Sequence, residues 1–328
     1  MGVVHREEVS HIMTTLNVGI IGLGAIGQRL LNTFHTHEKA NVLAICDTNE
    51  QLLAAMKEKL EGVISYIDYK EMLENESIDL VYIAVPPKFH HQIALDVIKK
   101  RKHLLCEKPL ANSLEEAEEM YQAAKASQRI HGINFPMVYT NVFSQMKQFI
   151  KSGQLGELNR VEVHMKFTEW PRSWQKNNWI SSREQGGFIR EVAPHYIHMI
   201  YDIFGELSNV HSFVDYPVQQ ELCEKGFIVR MELEDQTPVL INGLGGIGQK
   251  EHLSFKIYGS KGTVDLVNWS ELFVSKGDQA PTRIPLERGN ELDIVEEFIH
   301  GINNQEAQIV SFQEGLEVQR VLEKIIRS

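Results

Sequence analysis

Residues 16–34 read LNVGIIGLGAIGQRLLNTF, and the rest of the chain arranges itself around them. Leu16–Ile21 is a short apolar run with β-branched residues, the composition of a buried strand. Gly22, Gly24 and Gly27 follow at once, with Ala25 and Ile26 between them, and Gln28–Phe34 continues with helical periodicity. In a strand–turn–helix of this kind the first glycine makes the tight turn and the second lets a pyrophosphate approach the backbone. The third lets helix and strand pack closely, while the helix N-terminus faces the phosphates. The glycine pattern alone is weak. It gains force from the strand before it, the helix after it and an acid about twenty residues further on. That acid is Asp47, at the end of a second strand Asn41–Cys46, where it can accept from ribose hydroxyls. The competing reading is an ordinary turn aspartate.

The same alternation continues outward. Helical Gln51–Leu60, a strand near Val63–Tyr66 and a helix at Tyr69–Leu73 precede a buried strand, Asp79–Ala84. Pro86 and Pro87 stop that strand, and a helix resumes through Ile93–Lys100. Strand His103–Cys106 ends in Glu107-Lys108-Pro109. Leu114–Ala126 is helical, with Ser113 as N-cap and Glu116 as its capping-box partner. Ile130–Asn134 is the last short strand. Strands alternating with helices of this length predict a doubly wound parallel sheet over residues 16–134. Ligands of such sheets bind beyond the carboxyl ends of the strands. Those ends carry Gly22–Gly27, Asp47, Pro86–His90 and Glu107–Lys108, so Pro86, His90, Glu107 and Lys108 join the expected cofactor contacts. An ammonium at Lys108 can hydrogen-bond a substrate oxygen and stabilise a developing alkoxide. His90 and His91 read equally well as exposed histidines at a helix start.

At 328 residues the chain is longer than one core usually covers, so two domains are expected. A formal net charge of −11 argues against nucleic acid or an anionic membrane as the main partner. Cys46, Cys106 and Cys223 form no CxxC and no even set, which points to neither a disulfide framework nor a metal site and fits a reducing cytoplasm. Residues 1–15 read as a flexible arm. The polar MGVVHREEVSHI at its start has no apolar core of a signal peptide, and no apolar run is long enough to span a membrane.

Residues 135–328 read as an α+β domain. Tyr139–Ser152 is an amphipathic helix ended by Gly153, and Leu158–Phe167 alternates as a strand. Thr168–Gln185 is an irregular loop carrying Trp170, Arg172, Trp174, Trp179 and Arg183; tryptophan can stack on a sugar face and arginine can bind an oxyanion. Then comes GGFIREVAPHYIHMIYD, residues 186–202. Helical spacing puts Glu191, His195, His198 and Asp202 on one face, so this stretch is expected to carry the chemistry. The bland alternative is a surface helix rich in histidine and acid. Trp179, Arg183 and Arg190 are the expected substrate contacts, together with Lys108 and His195. Six β-type segments follow: Asn209–Tyr216, Gly226–Glu234, Pro238–Gly243, His252–Tyr258, Thr263–Leu266 and Glu271–Ser275. They predict one mostly antiparallel, open-faced sheet, and the alternation in Phe227–Leu233 and Leu253–Ile257 is expected to leave one face needing cover beyond what the helices supply, as a homo-oligomer would give. Leu292–Ile302 and Phe312–Ile326 are closing helices, able to pack back on the first domain.

GLGAIG, the strand-end Asp47, AVPPKFHHQIAL and above all CEKPLANSLEEAEEM resemble the glucose–fructose oxidoreductase, inositol dehydrogenase and rhizopine-catabolism (Gfo/Idh/MocA) family. The resemblance runs over nearly the whole chain after about residue 15 and takes in IKSGQLGELNRVEVH and the closing helices. It implies a Rossmann domain followed by an open-faced α+β domain whose free sheet face often makes the oligomer contact, here a homodimer or homotetramer. It also implies that the 186–202 stretch carries the catalytic pair. In most members a Gly-Gly opening leads to an aspartate and, four residues later, to the histidine. Here His195 holds the histidine place, but Glu191 stands for the aspartate. His198 stands where a further acid is common, and Pro194 is unusual and expected to kink the helix.

The expected activity is hydride transfer between NAD (with NADP as the alternative) and a sugar, polyol or related hydroxy or keto compound. His195 would act as general base, Lys108 as the group polarising the oxygen, and Glu191 as the partner that orients the imidazole. Asp47 followed by Thr48 and Asn49, with no arginine, favours NAD over NADP. Two other readings share these residues: reduction of C=N or C=C bonds, and a nucleotide- or sugar-binding sensor without turnover.

Overall fold

The computed structural model describes residues 13–175, 177–286, 289 and 291–327. Most of the expected arm therefore lies outside the described residues. At its end the chain is held rather than loose: the Met13 amide donates to Asn303 Oδ1 and its carbonyl accepts from Asn303 Nδ2, both at 2.8 Å.

The first half alternates as its periodicity requires: β1 (Leu16–Ile21), α1 (Ala25–Thr36), β2 (Ala40–Cys46), α2 (Glu50–Lys57), β3 (Ile64–Tyr66), α3 (Tyr69–Leu73), β4 (Leu80–Ile83), α4 (His90–Lys99), β5 (His103–Cys106), α5 (Leu114–Ser127) and β6 (His131–Ile133). The six strands are parallel, in the order β3-β2-β1-β4-β5-β6. Winding reverses between β1 and β4, which opens a crevice at their carboxyl ends. Val18, Ile20, Leu80 and Tyr82 are fully buried between the helical layers; each such side chain contributes about 1.5–3 kcal/mol of burial. Helix α5 starts as expected, with Ser113 Oγ accepting from the Glu116 amide at 3.2 Å. The return bond differs by one residue, because Glu116 Oε2 accepts from Asn112 rather than Ser113.

The second half contains α6 (Asn141–Lys151), β7 (Leu158–Phe167), α7 (Phe188–Glu191), α8 (Ala193–Phe204), β8 (Ser208–Asp215), β9 (Gly226–Glu232), β10 (Pro238–Gly245), β11 (His252–Gly259), β12 (Gly262–Val267), β13 (Glu271–Lys276), β14 (Thr282–Ile284), α9 (Ile294–Ile302) and α10 (Phe312–Arg327). The eight strands run β14-β13-β12-β11-β7-β10-β9-β8. Only the β7–β10 pair is parallel. Strand β14, absent from the sequence reading, has three residues, too few to display a period of two. Helices α9 and α10 pack back on the first sheet. Ile294, Val295 and Phe298 join the core of Leu16, Val18 and Leu80, and α10 lies along α5.

Two expectations change here. The alternating residues of β9 and β11 do not leave an apolar face uncovered. Phe227, Val229, Met231, Leu253, Phe255 and Ile257 are all buried on the helix side, where Tyr196 of α8 meets Phe255 edge to face. The open face is mostly polar, apart from the cross-strand pair Phe213 and Ile228, 77% and 56% exposed, and Leu244. Second, residues 186–202 are not one helix. Val192, at φ −119°, interrupts it, and Pro194 sits in the first turn of α8. There it gives up no helical hydrogen bond and starts a helix instead of kinking one.

Candidate active site

A cleft of about 530 Å³ lies beyond the carboxyl ends of β1, β2, β4 and β5. Its floor is the glycine turn. A side chain at Gly22, whose φ is +96°, would strike the backbone of Ala84, and one at Gly27 would strike the Gly22 carbonyl. Both positions are closed by packing. Gly24 differs: a Cβ there would meet nothing within 4 Å. The open space above Gly24, with Ala25 and Ile26 lining it at the N-terminus of α1, is the cradle a pyrophosphate needs. These residues fit a dinucleotide.

Asp47 lines the same cleft and also braces it. Its Oδ2 accepts from the Leu23 amide at 2.7 Å and its Oδ1 from the Asn49 amide at 2.8 Å. The strand-end acid thus locks the glycine turn and sets a negative charge on the cleft lining. Pro86 and Glu107 line the cleft too. Glu107 is buried, and Oε1 accepts from Tyr82 Oη and Asn134 Nδ2, both at 2.6 Å. Burial pushes its carboxyl upward, against the pull of Lys108 and these donors. It ties β4, β5 and β6 together at the cleft wall. His90 is placed differently from expectation. It is fully buried away from the cleft, its ring nitrogens 3.0 Å from the Pro109 carbonyl and 2.8 Å from the Val85 carbonyl. It clasps the turn after β4 to the turn that carries Lys108.

Lys108 and Glu191 meet on the cleft lining. Lys108 Nζ donates to the Glu191 carbonyl at 3.1 Å and to Glu191 Oε2 at 3.4 Å, with both side chains nearly buried. This pairing corrects the expected link between Glu191 and His195. Because the helix breaks at Val192, the carboxylate lies on the lysine, and His195 Nδ1 is sealed from solvent without a hydrogen-bond partner. The His195 ring stands edge-on to Phe135 and Trp269, and outside the cleft lining. Burial, and then the charges of Lys108, His198 and Arg172, hold its pKa well below the usual histidine value. His198 turns away entirely. It stacks on Phe135 at 4.4 Å and approaches Glu314 of α10 at 3.6 Å.

The loop from Thr168 to Gln185 forms the facing wall through Trp174, Gln175, Asn177 and Trp179. Its base is fixed by the Arg172–Glu251 ion pair at 2.8 Å and by the Trp170 ring against Phe167 and Phe188. Arg183 and Arg190, expected to touch substrate, are not in this wall. The Arg183 guanidinium lies 3.7 Å over the Tyr216 ring, and Arg190 is buried with Nη1 unpartnered. Gln175 and Asn177 escaped the sequence reading because a lone amide in a loop carries no pattern. Among the described residues no group of three His, Cys, Asp or Glu could hold a metal ion. No described helix is long and apolar enough to cross a membrane.

Residues 16–135 match the family model for the GFO/IDH/MocA oxidoreductase family's NAD-binding Rossmann fold, and residues 147–328 match its C-terminal alpha/beta domain. The chain is 24% identical to a myo-inositol 2-dehydrogenase of Thermotoga maritima, over 92% of each chain. It is 26% identical to a levoglucosan dehydrogenase of Pseudarthrobacter phenanthrenivorans, over 77% of this chain and 73% of the relative. A solved levoglucosan dehydrogenase in complex with NADH superposes with a TM-score of 0.83 at 22% identity, covering 96% of both chains.

Proposed function

The chain belongs to the GFO/IDH/MocA oxidoreductase family, with an NAD-binding Rossmann domain, and on that premise we propose that it oxidises or forms a CH–OH group on an uncharged sugar or polyol. The observation that carries this reading is the ion pair of Lys108 with Glu191 in a cleft also lined by two tryptophans and two amides. Bound nicotinamide supplies the hydride donor or acceptor. Lys108 donates a hydrogen bond to the substrate oxygen and stabilises the charge that builds there. Glu191 holds the ammonium in place. His195 lies behind the cleft lining with Nδ1 sealed, and its other ring nitrogen takes the hydroxyl proton. Trp174 and Trp179 supply apolar faces for a ring, and Gln175 and Asn177 supply donors and acceptors for its hydroxyls.

The charge inventory supports an uncharged substrate. Among the described lining residues Lys108 is the sole cation, already paired, against Asp47, Glu107 and Glu191. A phosphate or carboxylate on the substrate would find no free cation among them. Asp47, which would meet a 2′-phosphate with its own charge, supports NAD over NADP. The exposed Phe213–Ile228 pair on the second sheet supports a homodimer or homotetramer formed through that face.

Nicotinamide absorbance, followed with NAD and NADP over a panel of neutral sugars, polyols, sugar phosphates, imines and enoates, tests the proposal. Turnover of a neutral sugar or polyol with NAD is expected. Turnover confined to sugar phosphates or to C=N and C=C compounds would overturn the substrate class. Tight NAD binding with no turnover on any compound would point to a sensor.

A further inference from the structure

Helix α7 is a single turn, Phe188–Glu191, and one turn has no stability of its own in water. Its last residue nevertheless places both groups that hold Lys108, the Glu191 carbonyl and carboxylate. Something outside the turn must fix it. At its start stands Gly187, which has φ +89° and no side chain to cap the free amides. The missing acceptor comes from Glu224, just before β9. Glu224 is 6% exposed, and its Oε1 accepts from the Ile189 amide at 2.6 Å. The Phe188 amide, next along the turn, also favours the charged form of that carboxylate. Any Cβ at position 187 would collide with the Glu224 carboxylate. Glycine and carboxylate are fitted to each other. One buried acid thus grips one end of a short helix while the other end grips the lysine.

We propose that Glu224 is a positioning residue for Lys108, acting through α7; the proposal rests on the role given to Lys108 above. Among the described residues few groups face Glu224. Arg190 follows on α7, its buried Nη1 without a hydrogen bond. Tyr216 lies beyond, under the Arg183 guanidinium. The neighbouring Cys223 thiol is pushed up to about 12 by its burial and by Glu224. Burial raises the Glu224 carboxyl to about 7, against the pull of the helix amides and Arg190. As pH falls through that value Glu224 takes up a proton, its hold on the amides weakens, and Lys108 loses its seat.

Steady-state kinetics on both sides of neutrality test this with the full-length enzyme and its Glu224→Gln, Glu224→Asp and Lys108→Met variants. Two further measurements need no turnover: melting temperature, and labelling of Lys108 by an amine-reactive reagent mapped by mass spectrometry. The wild-type kcat should fall on the acid side with an apparent pKa of about 7. Glu224→Gln should abolish that limb and lower kcat at alkaline pH by about 10- to 100-fold, the scale of a small misplacement of a reacting group. KM should move less, and cofactor affinity should not change. Lys108 labelling should rise. Melting temperature at alkaline pH should not drop, because the wild type buries a charge there and the amide does not. Glu224→Asp should keep the limb at reduced kcat, and carries the same comparison if the Gln variant does not fold. A Gln variant with wild-type kcat, an unchanged acid limb and unchanged labelling overturns the proposal and leaves Glu224 a structural cap. Should Lys108→Met retain full turnover, the role of Lys108 falls instead, and the labelling arm still decides whether Glu224 sets the place of that side chain.

Discussion

The glycine turn after β1 and the broken helix α7–α8 both face the same cleft, yet they are built on different length scales. The turn is made by neighbours. Gly22, Gly24 and Gly27 act on the strand and helix they join; Asp47 hydrogen-bonds back to the Leu23 amide, and only the close packing of Gly22 and Gly27 on Ala84 reaches farther along the chain. The broken helix is made by distant residues: Lys108 pairs with Glu191 across 83 positions, and Glu224 reaches the Ile189 amide across 35. A site held by its own backbone binds a ligand common to many proteins. A site held by distant side chains can vary by exchange of those side chains, and Glu191, which stands where the resemblance implies an aspartate, lies in that part.

The comparison predicts the largest losses where the distant side chains act. Lys108→Met and His195→Ala should each lower turnover by roughly 10²–10⁴-fold, while NAD affinity, measured by titration, barely changes. Glu191→Gln separates two roles. A carboxylate beside an imidazole would raise its pKa, so loss of such a partner would shift the histidine limb of the pH profile. Glu191 pairs with Lys108, so the variant should lower kcat without moving that limb. A shifted limb would restore the Glu191–His195 partnership that the helix break removed.

Two glycines test the local side. Gly27→Ala pushes a methyl into the Gly22 carbonyl, a backbone atom that cannot swing aside. It should cost about 3 kcal/mol or more of stability, the range of overpacked or strained positions. Gly24→Ala meets nothing in the protein. It should melt with the wild type and bind NAD about tenfold more weakly, since its methyl occupies the pyrophosphate approach. Calorimetric melting and cofactor titration on the same two variants check both halves. Equal destabilisation of the two would mean that the cradle is not open.

The same contrast explains what could be read from the chain alone. Strands β1, β5 and β7 and helix α3 begin and end at the expected residues because local signals mark them: Gly22 after β1, Pro109 after β5, Gly156 before β7 and the Asp68 cap before α3. The crevice at Gly22–Gly27, Asp47, Pro86 and Glu107–Lys108 follows from topology. His90 was misplaced because a histidine at a helix start looks exposed, and only the packed turns show its ring between two carbonyls. Arg183 and Arg190 were misplaced because a charged residue near a cleft gives no sign of whether it faces inward. Glu224 is a lone acid before a strand and has no pattern of its own. One signal was present: Gly186-Gly187 opens a helix with no Ser, Thr, Asp or Asn to cap it, so an acceptor must come from elsewhere.

The smallest effect belongs to Pro194. Helical spacing of Glu191 and His195 read as one continuous turn, and proline inside it would kink the helix at a cost of about 3 kcal/mol. With the break at Val192, Pro194 lies in the first turn of α8, where its missing amide would have been unpaired anyway and its fixed φ suits the helix. Replacing it by alanine therefore relieves nothing. Pro194→Ala should destabilise the protein by about 1 kcal/mol or less, through the greater freedom of the unfolded chain, and leave kcat within a few-fold of wild type. The sign is the test. A gain in melting temperature would mean that proline had been straining one continuous helix, with Glu191 returned to the face of His195. A small loss with activity retained leaves two helices, each answering to its own partners, Glu191 to Lys108 and His195 to Phe135 and Trp269.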